Sequence, residues 1–201
     1  LGSGTLTIGD GLGQAYAGAI SGTGNLVKNG AGIQTLSGCN SSYSGTTTIN
    51  AGVLAVNCLP NGGVNSSIGA STSNPATLVP TGGALRSVGA GDSTDRQFTL
   101  GANGGTLDAS GSGIVEFAST APVTLAGANT ARTLTLTGTN TGYNLLAAQL
   151  DNNGAGVTSL TKTGTGTWRL TNANSTYTGI TRNNGGVVSV DQVANGRQAR
   201  S

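Results

Sequence analysis

The stretch NLVKNGAGIQTLSGCNSSYSGTTTINAGVLAV (residues 25–56) returns without a gap as SLTKTGTGTWRLTNANSTYTGITRNNGGVVSV (residues 159–190), 134 positions later. Leu26, Lys28, Gly30, Gly32, Leu36, Asn40, Tyr43, Gly45 and Gly52 recur as Leu160, Lys162, Gly164, Gly166, Leu170, Asn174, Tyr177, Gly179 and Gly186. A long match at one fixed shift marks a repeat architecture, in which each unit buries its apolar face against its neighbour. The register continues past the block, where Asn61-Gly62 meets Asn195-Gly196. Upstream, a weaker echo pairs TLTIGDG (residues 5–11) with TLTLTGTN (133–140), and AGAIS (17–21) with AAQLD (147–151). The spacing differs by a few residues, which predicts an insertion at a turn over residues 10–16 or 141–146.

Within the block, LVK, IQTLS, TTTIN and VLAV alternate with period two and are separated by NGAG, GCNSSYSG and AG. Period two means strands, and strands this short persist when coils stack and hydrogen-bond along the stack axis. Glycine at the boundaries suits corners that need a positive φ. The expected fold is all-β, a right-handed single-stranded parallel β-helix (β-solenoid) with three short strands per coil, running as one continuous segment over residues 1–201. At roughly 20–25 residues per coil it makes about eight to ten coils, a rod some 40–50 Å long. A β-sandwich is the competing architecture, but it calls for hairpin turns and larger core aromatics, and Trp168, Phe98 and Phe117 are the only Trp and Phe residues.

Composition agrees with strands and turns. Of 201 residues, 36 are Gly and 4 Pro, while only 3% are aromatic and 8% charged. Enough aliphatic side chains remain to line a narrow core, so the chain is read as folded. A net charge of +2 with no basic stripe argues against nucleic-acid binding, and no apolar run is long enough to span a bilayer. The sequence has no Met and opens on Leu1, which reads as a piece of a longer product.

Candidate sites are few. Cys39 and Cys58 lie 19 positions apart, close to one coil, so stacking puts them in disulfide range; two small buried thiols are the other reading. The absence of His excludes Ser-His-Asp and Cys-His chemistry. A polysaccharide-processing reading needs Asp92, Asp95, Asp108 or Glu116 gathered in one groove with Arg86 or Arg96, though Asp92 and Asp95 read most simply as loop residues. An ice- or crystal-binding reading needs Thr46-Thr48 and Thr133-Thr135 in register on one flat face. Gly30-Ala31-Gly32 and Gly164-Thr165-Gly166 lack the third glycine and helix of a phosphate loop. Neither a metal nor a cofactor is expected. Lys28 and Lys162 are expected to lay their stems along the coil surface, and Tyr43 and Tyr177 to cover corners with their hydroxyls in solvent. The Asn-x-Ser/Thr triplets at Asn40, Asn65 and Asn174 arise easily in so polar a chain.

Residues 160–190 closely resemble the autotransporter-associated β-strand repeat, also called the passenger-associated transport repeat, which runs Leu-Thr-Lys-x-Gly-x-Gly-x-Leu-x-Leu-x-Gly-x-Asn-x-Tyr-x-Gly-x-Thr before a short Gly-led strand. Residues 25–56 match as well. Trp168 and Gln34 stand where the pattern has an aliphatic residue, Asn172 replaces a glycine, and Arg182-Asn183 interrupt a Thr-rich strand. The linking segments 59–71, 82–113 and 132–144 also look like those of such passengers, so the resemblance covers nearly the whole chain. It implies a secreted bacterial passenger displayed at the cell surface, exported by type V secretion through a barrel outside this chain, with no catalytic residue to transfer. The expected role is a non-enzymatic stalk or fibre segment supporting adhesion. Its expected partners are itself, by end-to-end stacking or continuation of the solenoid, and surface glycans or a host surface. It is not expected to insert into a membrane.

Overall fold

The computed structural model describes residues 1–9 and 15–191. The repeat extension at Asn195-Gly196 and part of the expected insertion at 10–16 lie outside the described residues. Strands β1 (Thr5–Ile8) and β2 (Ala15–Tyr16) form the first coil, β3 (Asn25–Lys28) and β4 (Ile33–Leu36) the second, and β5 (Thr47–Ile49) and β6 (Val53–Val56) the third. The fourth coil holds β7 (Leu78–Pro80), β8 (Ala84–Ser87) and β9 (Asp92–Thr94), and the fifth β10 (Thr99–Leu100), β11 (Gly105–Ala109) and β12 (Val115–Phe117). The sixth is β13 (Thr124–Leu125), β14 (Arg132–Thr137) and β15 (Tyr143–Leu146). The seventh holds β16 (Thr158–Lys162) and β17 (Thr167–Leu170), the eighth β18 (Thr181–Asn183) and β19 (Val187–Val190).

Every strand pairing is parallel, and the strands stack into the sides of a solenoid. One side is the sheet β1-β3-β5-β7, carried on by β10-β13, where the Gly101 amide donates to the Pro80 carbonyl at 2.8 Å. The second side is the eight-stranded sheet β2-β4-β6-β8-β11-β14-β16-β18, one strand per coil, and the third is β9-β12-β15-β17-β19. Eight coils at about 4.8 Å each give a rod somewhat under 40 Å long. Coil length is uneven along the register row Thr35, Ala55, Arg86, Asp108, Thr137. The turn from Thr35 to Ala55 is the shortest of these, and those from Ala55 to Arg86 and from Asp108 to Thr137 exceed the length expected from the sequence. Among the described residues the first three coils and the last two carry two strands rather than three. In the first three, the remaining side is made by single contacts such as the Tyr43 amide on the Ile20 carbonyl and the antiparallel bridge Ser41–Ser66.

The alternation puts one aliphatic row inside each side. Leu54, Leu85, Leu107 and Leu136 stack in register along the second sheet and are all buried. Each such side chain contributes about 1.5–3 kcal/mol relative to exposure. Phe98 and Phe117 meet edge to face, 6.0 Å between centroids. The turn expected at 10–16 or 141–146 does not fill either range: Tyr143–Leu146 are strand β15, and Ala15–Tyr16 are strand β2. Both continue the ladders of the neighbouring coils, a tertiary pairing that local turn chemistry does not reveal. Asp92, expected in a loop, opens β9.

Corners held by buried cations: the candidate functional site

The two lysines are inside the solenoid. Lys28 and Lys162 are fully buried, which overturns the expectation of surface stems. The reason is parity: Leu26 and Lys28 share one face of β3, and Leu26 points inward, so Lys28 stacks in register between Ile8 and Ile49. A buried ammonium survives only if its protons find acceptors. The Lys28 Nζ donates to the carbonyls of Asn29 and Gly30 (2.7 Å to the latter) and to Ala51 of the next coil at 3.4 Å. Lys162 does the same with Thr163, Gly164 (3.0 Å) and Gly185 (3.0 Å). Burial lowers the Lys162 pKa from its ordinary value.

The corner glycines make this geometry possible. Gly52 and Gly186 have φ of 63° and 66°, and a Cβ at Gly186 would lie 2.3 Å from the Gly166 carbonyl oxygen and 2.8 Å from the Lys162 Nζ. Gly30, Gly32, Gly164 and Gly166 supply carbonyls to the same two corners. Gly45 and Gly179 bear on the preceding coil, where a Cβ would come within 2.2 Å of the carbonyl oxygens of Gly24 and Thr158 respectively. Asn40 and Asn174 are exposed.

Tyr43 also departs from expectation. It is fully buried, and its hydroxyl shares a 2.7 Å hydrogen bond with the Thr47 hydroxyl instead of reaching solvent. Tyr177 and Thr181 repeat the bond at 2.7 Å with the tyrosine half-buried. Desolvation raises the Tyr43 pKa well above its ordinary 10.0, outweighing the Thr47 hydrogen bond and the Arg96 charge, which lower it. The unfolded chain therefore loses this proton near pH 10 while the folded chain keeps it, so stability falls as pH rises above 10, by up to about 1.4 kcal/mol per pH unit. Tyr43→Phe is expected to flatten that alkaline fall in a denaturation series across pH 9–12.

Cys39 and Cys58 stack on adjacent coils with their Cα atoms 5.4 Å apart and their sulfurs joined. A bridge closing about 20 residues contributes about 3 kcal/mol in the chain-entropy account. Replacing both cysteines by serine is expected to lower the denaturant midpoint accordingly, and non-reducing alkylation of the unsubstituted chain to label neither thiol.

The acidic and basic residues of the polysaccharide reading do not share a groove. Arg86 and Asp108 form a 2.6 Å ion pair on the outer face of the second sheet, whereas Glu116 lies on the third, beside Ser93 and Leu145. Asp92 and Asp95 accept the amides of Leu59 and Gly62, both at 2.8 Å, and so fix the segment that leaves the third coil. Arg96 is buried beneath the same segment, with its guanidinium on the carbonyls of Pro60 (3.0 Å), Gly69 (2.9 Å), Ser71 (3.2 Å) and Val64 (3.3 Å). Burial lowers its pKa. Arg132 is held likewise on Leu100, Gly127 and Thr130. Sequence reasoning misses both arginines as organisers, since nothing local marks a cation whose acceptors include carbonyls of the coil before it. Thr46-Thr48 flank and enter β5 on the first sheet and Thr133-Thr135 lie on the second, so the two rows do not share a face. Among the described residues no group of three His, Cys, Asp or Glu side chains is placed to hold a metal, and no helix is long and apolar enough to cross a membrane.

The two repeat copies agree at most inward strand positions and differ at most outward ones, although the exposed Asn40 and Asn174 are retained. Inward Leu26, Lys28, Leu36, Thr47 and Val56 return unchanged as Leu160, Lys162, Leu170, Thr181 and Val190, while outward Val27, Thr35, Thr48 and Ala55 become Thr161, Arg169, Arg182 and Ser189. Val53/Val187 is an outward exception. Gln34/Trp168, Ile49/Asn183 and Leu54/Val188 are inward ones, and the buried Trp168 indole donates to the Thr137 carbonyl at 2.8 Å.

The chain matches the family model of the passenger-associated transport repeat at residues 26–56 and 160–190, and so carries two copies of that repeat. It is 62% identical, over 204 aligned residues and along its whole length, to a segment of the protein described as adhesin BmaC autotransporter from Brucella suis biovar 1 (strain 1330). The chain spans 6% of that relative's length. No solved structure matches it.

Proposed function

We propose that this chain, with its two passenger-associated transport repeats, is a stalk segment of a secreted, surface-displayed autotransporter passenger. On this reading it acts as a non-enzymatic scaffold that holds adhesive regions away from the cell. The observation that carries the reading is where the repeat places its chemistry. Lysine and glycine carry contacts from one coil to the next and the tyrosine–threonine bond closes a corner, while most outward strand positions change between copies without disturbing the coil. Substrate-binding sites invert that pattern, fixing exposed polar groups on a tolerant scaffold.

The solenoid is read as continuing covalently, with the lumen side chains of the outer coils packing on further coils, and the Cys39–Cys58 bridge locking the second coil to the third. Self-association end to end is the second form of the same contact. An antibody raised against this chain is expected to label intact cells of the source, and the labelled polypeptide to run, denatured, at several times the mass of this chain. Labelling only after lysis overturns surface display. A band at the mass of this chain alone replaces the stalk with an autonomous self-assembling unit, and release of sugar ends from a polysaccharide by the purified chain replaces it with a processing enzyme.

A further inference from the structure

Six strands near the start of the chain have sequence counterparts near its end, and each counterpart sits one side further round the solenoid. The 134-residue shift relates β3, β4, β5 and β6 to β16, β17, β18 and β19, and the weaker echo relates β1 and β2 to β14 and β15. β1, β3 and β5 lie in the first sheet, but β14, β16 and β18 lie in the second. β2, β4 and β6 lie in the second, but β15, β17 and β19 lie in the third. Along the second sheet, β4 of the second coil and β16 of the seventh are five steps apart. The unit therefore advances five coils and one further side, which is five and one-third turns of about 25 residues each.

We infer that the 134-residue unit is a screw cassette: adding or removing one copy keeps every coil stacked, moves whatever follows by about 26 Å along the rod, and turns it by a third of a revolution. The junction is compatible because both ends of the unit enter the same local geometry. The lysine corner, the tyrosine–threonine bond and the Gly52/Gly186 turn are the same in both copies although they lie on different sides. Most outward strand residues differ between copies, so a new junction does not depend on a particular outer side chain. On the stalk reading, on which this consequence rests, the number of copies sets which way the far end of the rod faces, and the orientation returns after three copies.

The test duplicates residues 25–158 within the chain. A single cooperative unfolding transition is expected, with a rod about 26 Å longer by solution scattering, from five and one-third coils at the inter-strand spacing. The structure of the variant should place the first strand of the third motif in the third sheet. Unfolding, or a third motif in the same sheet as the second, overturns the inference. An independent measurement uses the chain at its natural length. Thr135 and Thr161 are register partners on the outside of the second sheet, so Thr135→Cys with Thr161→Cys is expected to oxidise readily, whereas Thr124→Cys with Thr161→Cys is not. The reverse result would mean a whole number of turns and would sink the cassette. Neither assay involves export or adhesion, so the stalk reading stands or falls separately.

Discussion

Replacing Arg96 by leucine is expected to cost roughly 3–5 kcal/mol of folding stability, read from the urea midpoint at constant slope. Leucine removes a charge whose burial is itself unfavourable, which works in the variant's favour. Against that, the carbonyls of Pro60, Val64, Gly69 and Ser71 each lose a charge-assisted donor, worth about 1.5–3 kcal/mol, although Pro60, Gly69 and Ser71 keep the Thr94 hydroxyl, the Ser66 hydroxyl and the Gly63 amide respectively. The loss outweighs the gain because the four groups belong to one long segment and lose their shared donor together. Arg96→Lys is expected to recover less than half of the loss, since a single ammonium does not span acceptors that the planar fork reaches together. Limited proteolysis separates this account from a general weakening, because the first new cuts should fall within residues 59–77. A loss below about 1 kcal/mol, or cuts spread evenly along the rod, would show that Arg96 does not organise the segment.

The second large effect is expected from Lys28→Met combined with Lys162→Met, a near-isosteric change that keeps the stem and deletes the ammonium. Each corner loses the donor to its inward-facing carbonyls, at about 2–3 kcal/mol per corner. The corners are five coils apart with no shared partner, so the costs should add to about 4–6 kcal/mol. Replacing a buried ion pair by apolar residues is often harmless, because both charges and both desolvation penalties leave together. Here the partners described for each ammonium are main-chain carbonyls, which no side-chain substitution removes. Additivity is the discriminating readout: single variants that each cost as much as the double would mean that the corners unfold as one body.

Much of the fold is legible in the sequence because a solenoid converts one-dimensional order into structure. The repeat, the period-two strands and the glycine corners are all local signals, and the sheets follow from stacking them. The inward lysines are legible too, since Lys28 has the parity of Leu26, but the expectation that charge faces water overrides the alternation. That rule fails at a corner where turned glycine carbonyls supply the acceptors. Tyr43 fails the surface rule for a related reason, because Thr47, one strand-start further on, receives its hydroxyl inside the coil. The rotation of the repeat is hidden from the sequence, since the length of a repeat fixes an angle only when the length of every intervening coil is known. Those lengths are unequal, as the steps from Thr35 to Ala55 and from Ala55 to Arg86 show.

Because each coil joins the next through hydrogen bonds that lie along the rod, a pull on its two ends opens those bonds one after another rather than all at once. One coil occupies about 4.8 Å of the rod yet holds enough chain to extend roughly 70–110 Å once drawn out. Tension is thus absorbed by releasing length coil by coil, at a modest force for each. The Cys39–Cys58 link keeps the chain between those residues out of that reserve. Under load the chain from Cys39 to Cys58, about one coil, is then a fixed knot in an otherwise extensible tether, and reducing the link would lengthen the leash without changing its resting shape.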